Sequence, residues 1–188
     1  MSARRAIRAA GFAAALAALG AAGSAGPARA QETQPQRFFE ERLLADRRTS
    51  SAVKGLLRSG GGFVDRGVVF RDLTGDKRAD AVVRVHSGAA AGVVAVYVFS
   101  TANRKNGKLQ VVFRSQSLMR ASTRVLKGVV SYRTSRYEQG DELCCPTRLT
   151  QSTLGWSPRE RRFRVRERVT WMPPPEAQAP AAPPAPAH

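Results

Sequence analysis

The spacing of apolar residues changes from helical to alternating after Gly62, the last of three consecutive glycines. Before this point, apolar side chains recur every three or four residues in two segments, 36–48 and 52–58. This spacing places them on one face of a helix. Ser50 or Ser51 can cap the second segment, and the glycines end it. We therefore predict one or two N-terminal helices.

After Gly62, apolar and polar residues alternate, which is typical of strands with one buried face. The strand candidates are residues 63–71, 80–87, 93–100, 109–114, 119–126, 129–138, 148–155 and 162–171. The connections between them are short and turn-like, so no crossover helix can join parallel strands. We therefore predict an α+β fold: an antiparallel β-meander of six to eight strands with one or two N-terminal helices.

Two of these strands have distinctive patterns. Residues 93–99 read VVAVYVF, which is apolar on both faces and predicts a central strand that is covered on both sides. In residues 162–171 the two faces differ sharply, because every second residue from 162 to 168 is arginine. Strict alternation would place these four arginines on one face. Glu167 interrupts the otherwise apolar opposite face.

The two ends of the chain differ from the part expected to fold. Residues 1–30 combine basic residues near the start, an apolar run at 9–22 and an Ala-Arg-Ala sequence at 28–30. This pattern predicts a signal peptide cleaved near Ala30, and hence a secreted or extracytoplasmic protein. The apolar run is short for a membrane span, which needs about 20 residues, so no transmembrane helix is expected in the mature chain.

The other end, residues 172–188, is rich in Pro and Ala and has no periodic apolar face. Seven of the 11 prolines lie at or after position 173. Such a composition favours a disordered, extended tail. We therefore expect a single globular domain in residues 31–171.

The net charge of the chain is +17, from 31 Lys and Arg against 14 Asp and Glu. Residues 1–30 contain four of the arginines and no acidic residue, so the remaining chain carries +13. Such a charge indicates an anionic partner. For an exported protein we expect an anionic cell-envelope polymer or an envelope protein rather than nucleic acid.

One loop between predicted strands carries three aspartates, Asp72, Asp76 and Asp80. Oxygen ligands that converge from a sharp turn suit Ca²⁺. The loop resembles the calcium-binding loop of FG-GAP and dockerin-like hairpins, but Thr74 stands where those loops have Asp or Asn, and Lys77 where they have Gly. The alternative is a turn whose carboxylates accept hydrogen bonds from backbone N–H groups. Beyond calcium at this loop, no cofactor is expected.

Cys144 and Cys145 are adjacent and are the only cysteines in the chain. Export to an oxidising compartment favours a vicinal disulfide between them. Free thiols and an interchain bond are the alternatives. If the pair exchanges between thiols and disulfide, the protein can respond to the redox state of its surroundings.

The sequence does not contain the motifs of common hydrolases, zinc proteases or nucleotide-binding loops. A pair formed by His86 and one of the cysteines is the one conceivable nucleophile and base. We therefore expect a protein that is not an enzyme.

The arginines of the last strand, Arg162, Arg164, Arg166 and Arg168, are the candidate anion-binding residues. Guanidinium groups bind phosphate and carboxylate with two parallel hydrogen bonds. The alternative is the solvent face of an edge strand, where charge prevents pairing with other sheets.

Two segments, DLTGDKRADAVVRVHSG at 72–88 and DELCCPT at 141–147, resemble parts of small exported proteins of high-GC Gram-positive bacteria. The nearest group is the LppP/LprE-like lipoproteins. The resemblance covers about residues 50–171 and implies an envelope location, without an activity. This chain lacks the lipid-attachment cysteine of that group, so membrane anchoring is not implied.

These observations favour an exported, non-catalytic binding or structural module of the cell envelope. They do not identify its ligand, and anionic envelope polymers are the candidate. A calcium-dependent binding or adhesion module that uses the 72–80 loop is one alternative. A redox-responsive protein that uses Cys144 and Cys145 is the other.

Overall fold

The computed structural model describes residues 32–102 and 107–173, and in these ranges it has two helices and two antiparallel sheets. The α+β class and the N-terminal position of the helices are confirmed. The predicted signal peptide and residues 174–188 of the predicted tail lie outside the described residues. The helices and strands are α1 (Gln34–Ala45), α2 (Ser51–Ser59), β1 (Phe63–Val64), β2 (Val69–Arg71), β3 (Asp80–His86), β4 (Val93–Ser100), β5 (Gln110–Ser115), β6 (Ser122–Leu126), β7 (Val129–Arg136), β8 (Arg148–Ser157) and β9 (Arg162–Trp171).

Both helices begin and end where local chemistry favours it. Thr33 caps α1 in a reciprocal arrangement with Gln36, and Ser50 caps α2 by accepting a hydrogen bond from the Val53 N–H. Gly60 ends α2 with a left-handed backbone at φ 70°. Neither helix, nor any other in the described part of the chain, is long and apolar enough to cross a membrane.

The first sheet, sheet A, has the strand order β1-β3-β4-β5, and β2 also pairs with β3. The predicted strand at 63–71 is therefore two short strands, which brings the number of described strands to nine. The break lies at Asp65, whose carboxylate accepts a hydrogen bond of 2.7 Å from the Gly67 N–H and turns the chain. Both short strands then return to the same neighbour, β3, at different positions.

Sheet A is covered on both faces by different parts of the chain. Along β3, Val83 packs with the helices, whereas its neighbour Val82 packs with the second sheet. Along β4, Tyr97 and Phe99 face the helices, and Val98 faces the second sheet. Alternation along two strands that are apolar on both faces thus produces three layers, and the prediction of a doubly covered strand at 93–99 is confirmed.

One polar link joins the start of α2 to sheet A. The side-chain oxygen of Gln116 accepts hydrogen bonds from the Ser50 N–H at 2.7 Å and from the Tyr97 hydroxyl at 2.8 Å. Burial raises the pKa of Tyr97 to about 12, so this hydroxyl stays protonated and donates at any physiological pH. The link satisfies a polar group in the middle of the core and fixes where the helix begins.

The second sheet, sheet B, is a four-stranded meander of β6, β7, β8 and β9 in chain order. Its inner face contributes Val130, Leu154 and Phe163 to the core that it shares with sheet A. Its outer face is not covered by any described element. The predicted meander is therefore divided into two sheets, of which the second has a free face.

The helix layer makes a testable contribution to stability. Leu43 of α1 is 0% exposed and lies in the core between helices and sheet, so Leu43→Ala should lower the free energy of unfolding by about 2–5 kcal/mol. Leu126 is 52% exposed, and Leu126→Ala should change it by no more than about 0.5 kcal/mol. Urea unfolding of both variants checks this. Equal losses would show that the helices do not cover sheet A.

Candidate functional site

The pairing of β8 with β9 contains a bulge that changes the arrangement of the arginines. Leu154 lies opposite Val165, but Thr153 lies opposite Glu167, so Arg166 is one extra residue in β9. An extra residue reverses which side chains face inward beyond that point. The alternation seen in the sequence therefore does not continue through the strand.

The expectation that the four arginines share one face is wrong. Before the bulge, Arg162 and Arg164 lie on the outer face of sheet B. After it, Arg168 lies opposite Ser152, a buried inner-face residue, and so points to the inner side. The same reversal moves Glu167 to the outer face opposite Thr153, which explains why an acidic residue interrupts the apolar alternation.

Arg166 lies across Gly155 on the outer face. A Cβ atom at position 155 would come within 2.5 Å of the Arg166 side chain, so the absence of a side chain at Gly155 makes room for it. Arg166 also donates a hydrogen bond of 3.0 Å to the backbone carbonyl of Trp156. The glycine and the bulge together hold this guanidinium flat against the sheet.

The outer face of sheet B brings together basic residues from three of its four strands. We call this surface the basic face, and its cationic residues are Arg124, Arg133, Arg162, Arg164 and Arg166. Between Arg124 and Arg133 lies an open groove of about 530 Å³, lined also by polar side chains such as Gln151 and Thr153. No pattern in the sequence points to Arg124 and Arg133, because only strand pairing places them on the same face as the arginines of β9.

The arginines of the basic face differ in how strongly they are already paired. Arg162 and Arg164 both contact the carboxylate of Glu160 in the turn before β9. Hydrogen bonds from Arg164 first, and then from Arg162, lower the pKa of Glu160 to about 2. Arg124, Arg133 and Arg166 make no ion pair with any described residue. These three are the arginines free to bind an anion.

An aromatic ring extends the basic face at the end of β9. The guanidinium of Arg133 stacks over the ring of Trp171 at 5.0 Å from the ring centre. Such a contact orients the guanidinium and leaves its N–H edge free to donate. Trp171 lies opposite Leu149, so it belongs to the same face as the groove.

The three aspartates of the 72–80 loop each bind backbone N–H groups. Asp72 accepts from the N–H groups of Gly75 at 2.7 Å and Lys77 at 2.9 Å, and Asp76 accepts from Arg78 at 3.0 Å. Lys77 has φ 64°, the left-handed backbone for which glycine is the usual residue. The loop is thus shaped by hydrogen bonds of its own carboxylates.

Asp80 is the buried member of this loop. Its side chain is 0% exposed, and one carboxylate oxygen accepts from the Leu73 N–H at 2.8 Å and the Thr74 N–H at 3.1 Å. Among the described residues, the one cluster with the spacing of metal ligands is Glu142, Cys144 and Cys145, so the ligand atoms of the three aspartates do not form such a cluster. Calcium binding at this loop stays a prediction.

The structure joins Cys144 and Cys145 in a vicinal disulfide, and no free cysteine is present. The bond lies in the loop between β7 and β8, where Cys144 is exposed and Pro146 is buried. The carbonyl of Leu143, the preceding residue, accepts hydrogen bonds from the side chains of Arg120 and Tyr137. The tip of the loop is therefore fixed from its backbone, with the sulfur of Cys144 at the surface.

Asp141 closes the base of this loop. Its carboxylate accepts hydrogen bonds from the Glu138 N–H at 2.8 Å, the Thr147 N–H at 2.8 Å and the Thr147 hydroxyl at 2.7 Å. The Thr147 hydroxyl first, and then the two backbone N–H groups, hold the pKa of Asp141 below its usual value. The loop geometry thus depends on one ionised carboxylate as well as on the disulfide.

His86 is engaged by another residue. Its ring lies 3.0 Å from the carboxylate of Asp65 and stacks on Phe63 with the ring centres 5.3 Å apart. Arg84 contacts the same carboxylate at 2.9 Å. These contacts join β3 to the turn after β1, and they account for His86 without a partner among the cysteines.

Comparison with known proteins found no matching family model, no matching curated protein and no matching solved structure. The resemblance to LppP/LprE-like lipoproteins therefore stays a prediction based on two short segments.

The Asp141 contacts predict a specific pH dependence. Because its pKa is lowered in the folded loop, its stabilising contribution is complete above the usual value of 3.8 and is lost as pH falls through the folded pKa. In an NMR titration, its carboxyl signal should have a midpoint below 3.8, and protection of the Thr147 amide should fall over the same range. Asp141→Asn should remove this dependence and the neighbouring Glu142→Gln should keep it. A midpoint at or above 3.8 would contradict it.

Proposed function

We propose that this protein is an exported, non-catalytic module of the cell envelope that binds anionic polymers on its basic face. The observation that carries the proposal is the position of three arginines without ion-pair partners, Arg124, Arg133 and Arg166, on one exposed sheet face. Opposing charge is scarce there. Glu167 is the acidic residue on the face itself, and Glu160 is occupied by two other arginines.

The shape of the surface favours a polymer over a small ligand. The arginines are spread over β6, β7 and β9, and the groove that Arg124 and Arg133 line is open to solvent. A chain with repeated phosphate or carboxylate groups can contact several guanidinium groups at once, and each contact releases counterions. Polar side chains such as Gln151 and Thr153 can donate to oxygens between the charges. Trp171 supplies an apolar contact at one end.

The location follows from the N-terminal sequence. The basic start, apolar run and small residues of 1–30 support export, and the resemblance of residues 72–88 and 141–147 to exported proteins supports the envelope as the place of action. Anionic polymers are abundant there, so a basic binding face has a partner of suitable charge.

Replacement of the three unpaired arginines tests the proposal. Arg124→Gln, Arg133→Gln and Arg166→Gln together should weaken binding to heparin and to linear polyphosphate. They should also lower the slope of log affinity against log salt concentration by about two to three. Affinity measured at four or more salt concentrations gives this slope.

The matched control removes the same charge elsewhere. Arg47, Arg58 and Arg78 are exposed and make no ion pair with described residues, and their triple replacement by Gln also lowers the net charge by three. This control should change the slope by less than half as much. Equal changes in both triple variants would mean that overall charge, and not the basic face, drives binding.

A second candidate function is a response to redox conditions through Cys144 and Cys145. The exposure of Cys144 favours it, and so do the hydrogen bonds of Asp141 at the base of the loop, which do not involve the sulfur atoms. A dithiol reductant would transfer two electrons and two protons to the disulfide, giving two thiols and its own disulfide. The loop would remain closed at its base by Asp141.

This candidate predicts reduction without unfolding. After treatment with a dithiol reductant under native conditions, a thiol-alkylating reagent should modify both cysteines, as read by intact mass, while the circular dichroism spectrum is unchanged. The reason is that Cys144 is exposed and that the hydrogen bonds of Asp141 close the base of the loop without using either sulfur atom. If alkylation requires a denaturant, the disulfide is structural and the candidate is wrong.

A further inference from the structure

The inner face of sheet B is only partly covered by sheet A. One cross-strand row contains Val130, Leu154 and Val165, and its first two members belong to the shared core. Beyond it the rows become polar, although they are on the same face. The change from apolar to polar residues occurs in the same cross-strand row of β7, β8 and β9. The polar residues therefore form a continuous surface across the three strands.

Two cross-strand rows form this polar surface. The first contains Tyr132, Ser152 and Arg168, and the second contains Thr134, Thr150 and Thr170. The segment between β5 and β6, residues 115–119, forms the opposite wall and encloses a groove of about 340 Å³. The groove is therefore lined on one side by five hydroxyl groups and a guanidinium from three neighbouring strands.

Hydrogen bonds hold most of these hydroxyl groups in place. The Tyr132 hydroxyl accepts from Ser115 at 3.3 Å, Thr150 and Thr170 lie 3.1 Å apart, and Thr134 accepts from the Met119 N–H at 3.2 Å. Ser152 is 2% exposed and lines the groove opposite Arg168. A serine hydroxyl in this position can donate one hydrogen bond to an anion.

The charges around the groove are all positive. Arg168 lines it from β9 and Arg136 from the end of β7, and neither makes an ion pair with a described residue. No acidic residue is among the residues that line it. A cation is therefore excluded as the preferred ligand on electrostatic grounds, and an anion with several acceptor oxygens matches both the guanidinium groups and the hydroxyl groups.

We infer that this groove binds a phosphate group, with Arg168 and Arg136 as the charged contacts and the Ser152 hydroxyl as a buried donor. A tetrahedral phosphate presents enough oxygens to accept from two guanidinium groups and a hydroxyl at once, whereas a carboxylate has only two. The groove is larger than one phosphate and has further hydroxyl groups, so a phosphate ester of a polyol fits the remaining space. The site is on the opposite face of sheet B from the basic face, and it does not depend on polymer binding there.

A matched pair of variants tests the groove. Arg168→Gln removes a charge from the groove, and Arg58→Gln removes the same charge from α2, at a residue that does not line it. Both side chains are exposed, so both variants should fold, and thermal melting checks that they do. We expect Arg168→Gln to weaken binding of glycerol 3-phosphate at least tenfold and Arg58→Gln to change it less than twofold. Ser152→Ala should weaken it by a smaller factor.

Isothermal titration with four small probes completes the test. Glycerol 3-phosphate and inorganic phosphate distinguish an esterified from a free phosphate, and binding of either that requires Arg168 supports the site. Acetate and glycerol, at matched ionic strength, should not bind measurably. The inference is overturned if neither phosphate binds, if acetate binds as well as they do, or if the two arginine variants lose affinity equally. The triple variant of the basic face should retain phosphate binding, so each site can fail separately.

Discussion

Burial of β3 and β4 on both faces is the constraint on which the rest of the structure depends. Both strands carry apolar side chains on successive residues. If either face of these strands were exposed to water, the fold would lose the stabilisation that comes from burying its apolar side chains. One cover is supplied by α1 and α2, and the other by sheet B. The polar link from Gln116 to Ser50 and Tyr97 then fixes the helix layer on the first face. Both the helix layer and sheet B are needed, because each buries a different set of side chains on β3 and β4.

Sheet B has more surface than it needs to cover sheet A. Both candidate binding surfaces, the basic face and the inner groove, lie largely on parts of sheet B that are not packed against sheet A. One end of the inner face of sheet B is apolar. The rows beyond Val130 and Leu154 carry hydroxyl groups, and they begin at Tyr132, which still belongs to the core. The whole outer face remains open to solvent. Binding surfaces on such a sheet need no separate scaffold, because the ladder hydrogen bonds that complete the core also hold Arg133 and Arg168 in place. The loop that carries the disulfide is attached to the same sheet between β7 and β8.

Local patterns were enough to predict most of the elements, and long-range pairing decided the rest. The flanking serines and glycines placed α2 to within one residue at each end. A continuous apolar run placed β4, and alternating residues placed β9, at their observed bounds. The split of the meander into two sheets was not predictable, since it depends on which strand finds which neighbour. The bulge at Arg166 was also hidden, because one extra residue reverses the faces without changing the sequence alternation. Glu167, an acidic residue at an otherwise apolar position of the alternation, was the one indication of the bulge in the sequence. Arg124, Arg133 and Trp171 join the basic face only through pairing across strands.

The bulge has a consequence for how this surface can change in evolution. Arg166 is one residue more than the ladder between β8 and β9 requires, and Val165 and Glu167 have consecutive partners on either side of it. Deletion of that single codon would leave a regular ladder in which all the remaining residues of β9 keep their partners on β8. The Arg166 side chain would then no longer lie over Gly155. Insertion of one residue there would restore the present arrangement. The outer face can therefore gain or lose a cation by a one-codon insertion or deletion, a route that leaves both the core and the inner groove in register.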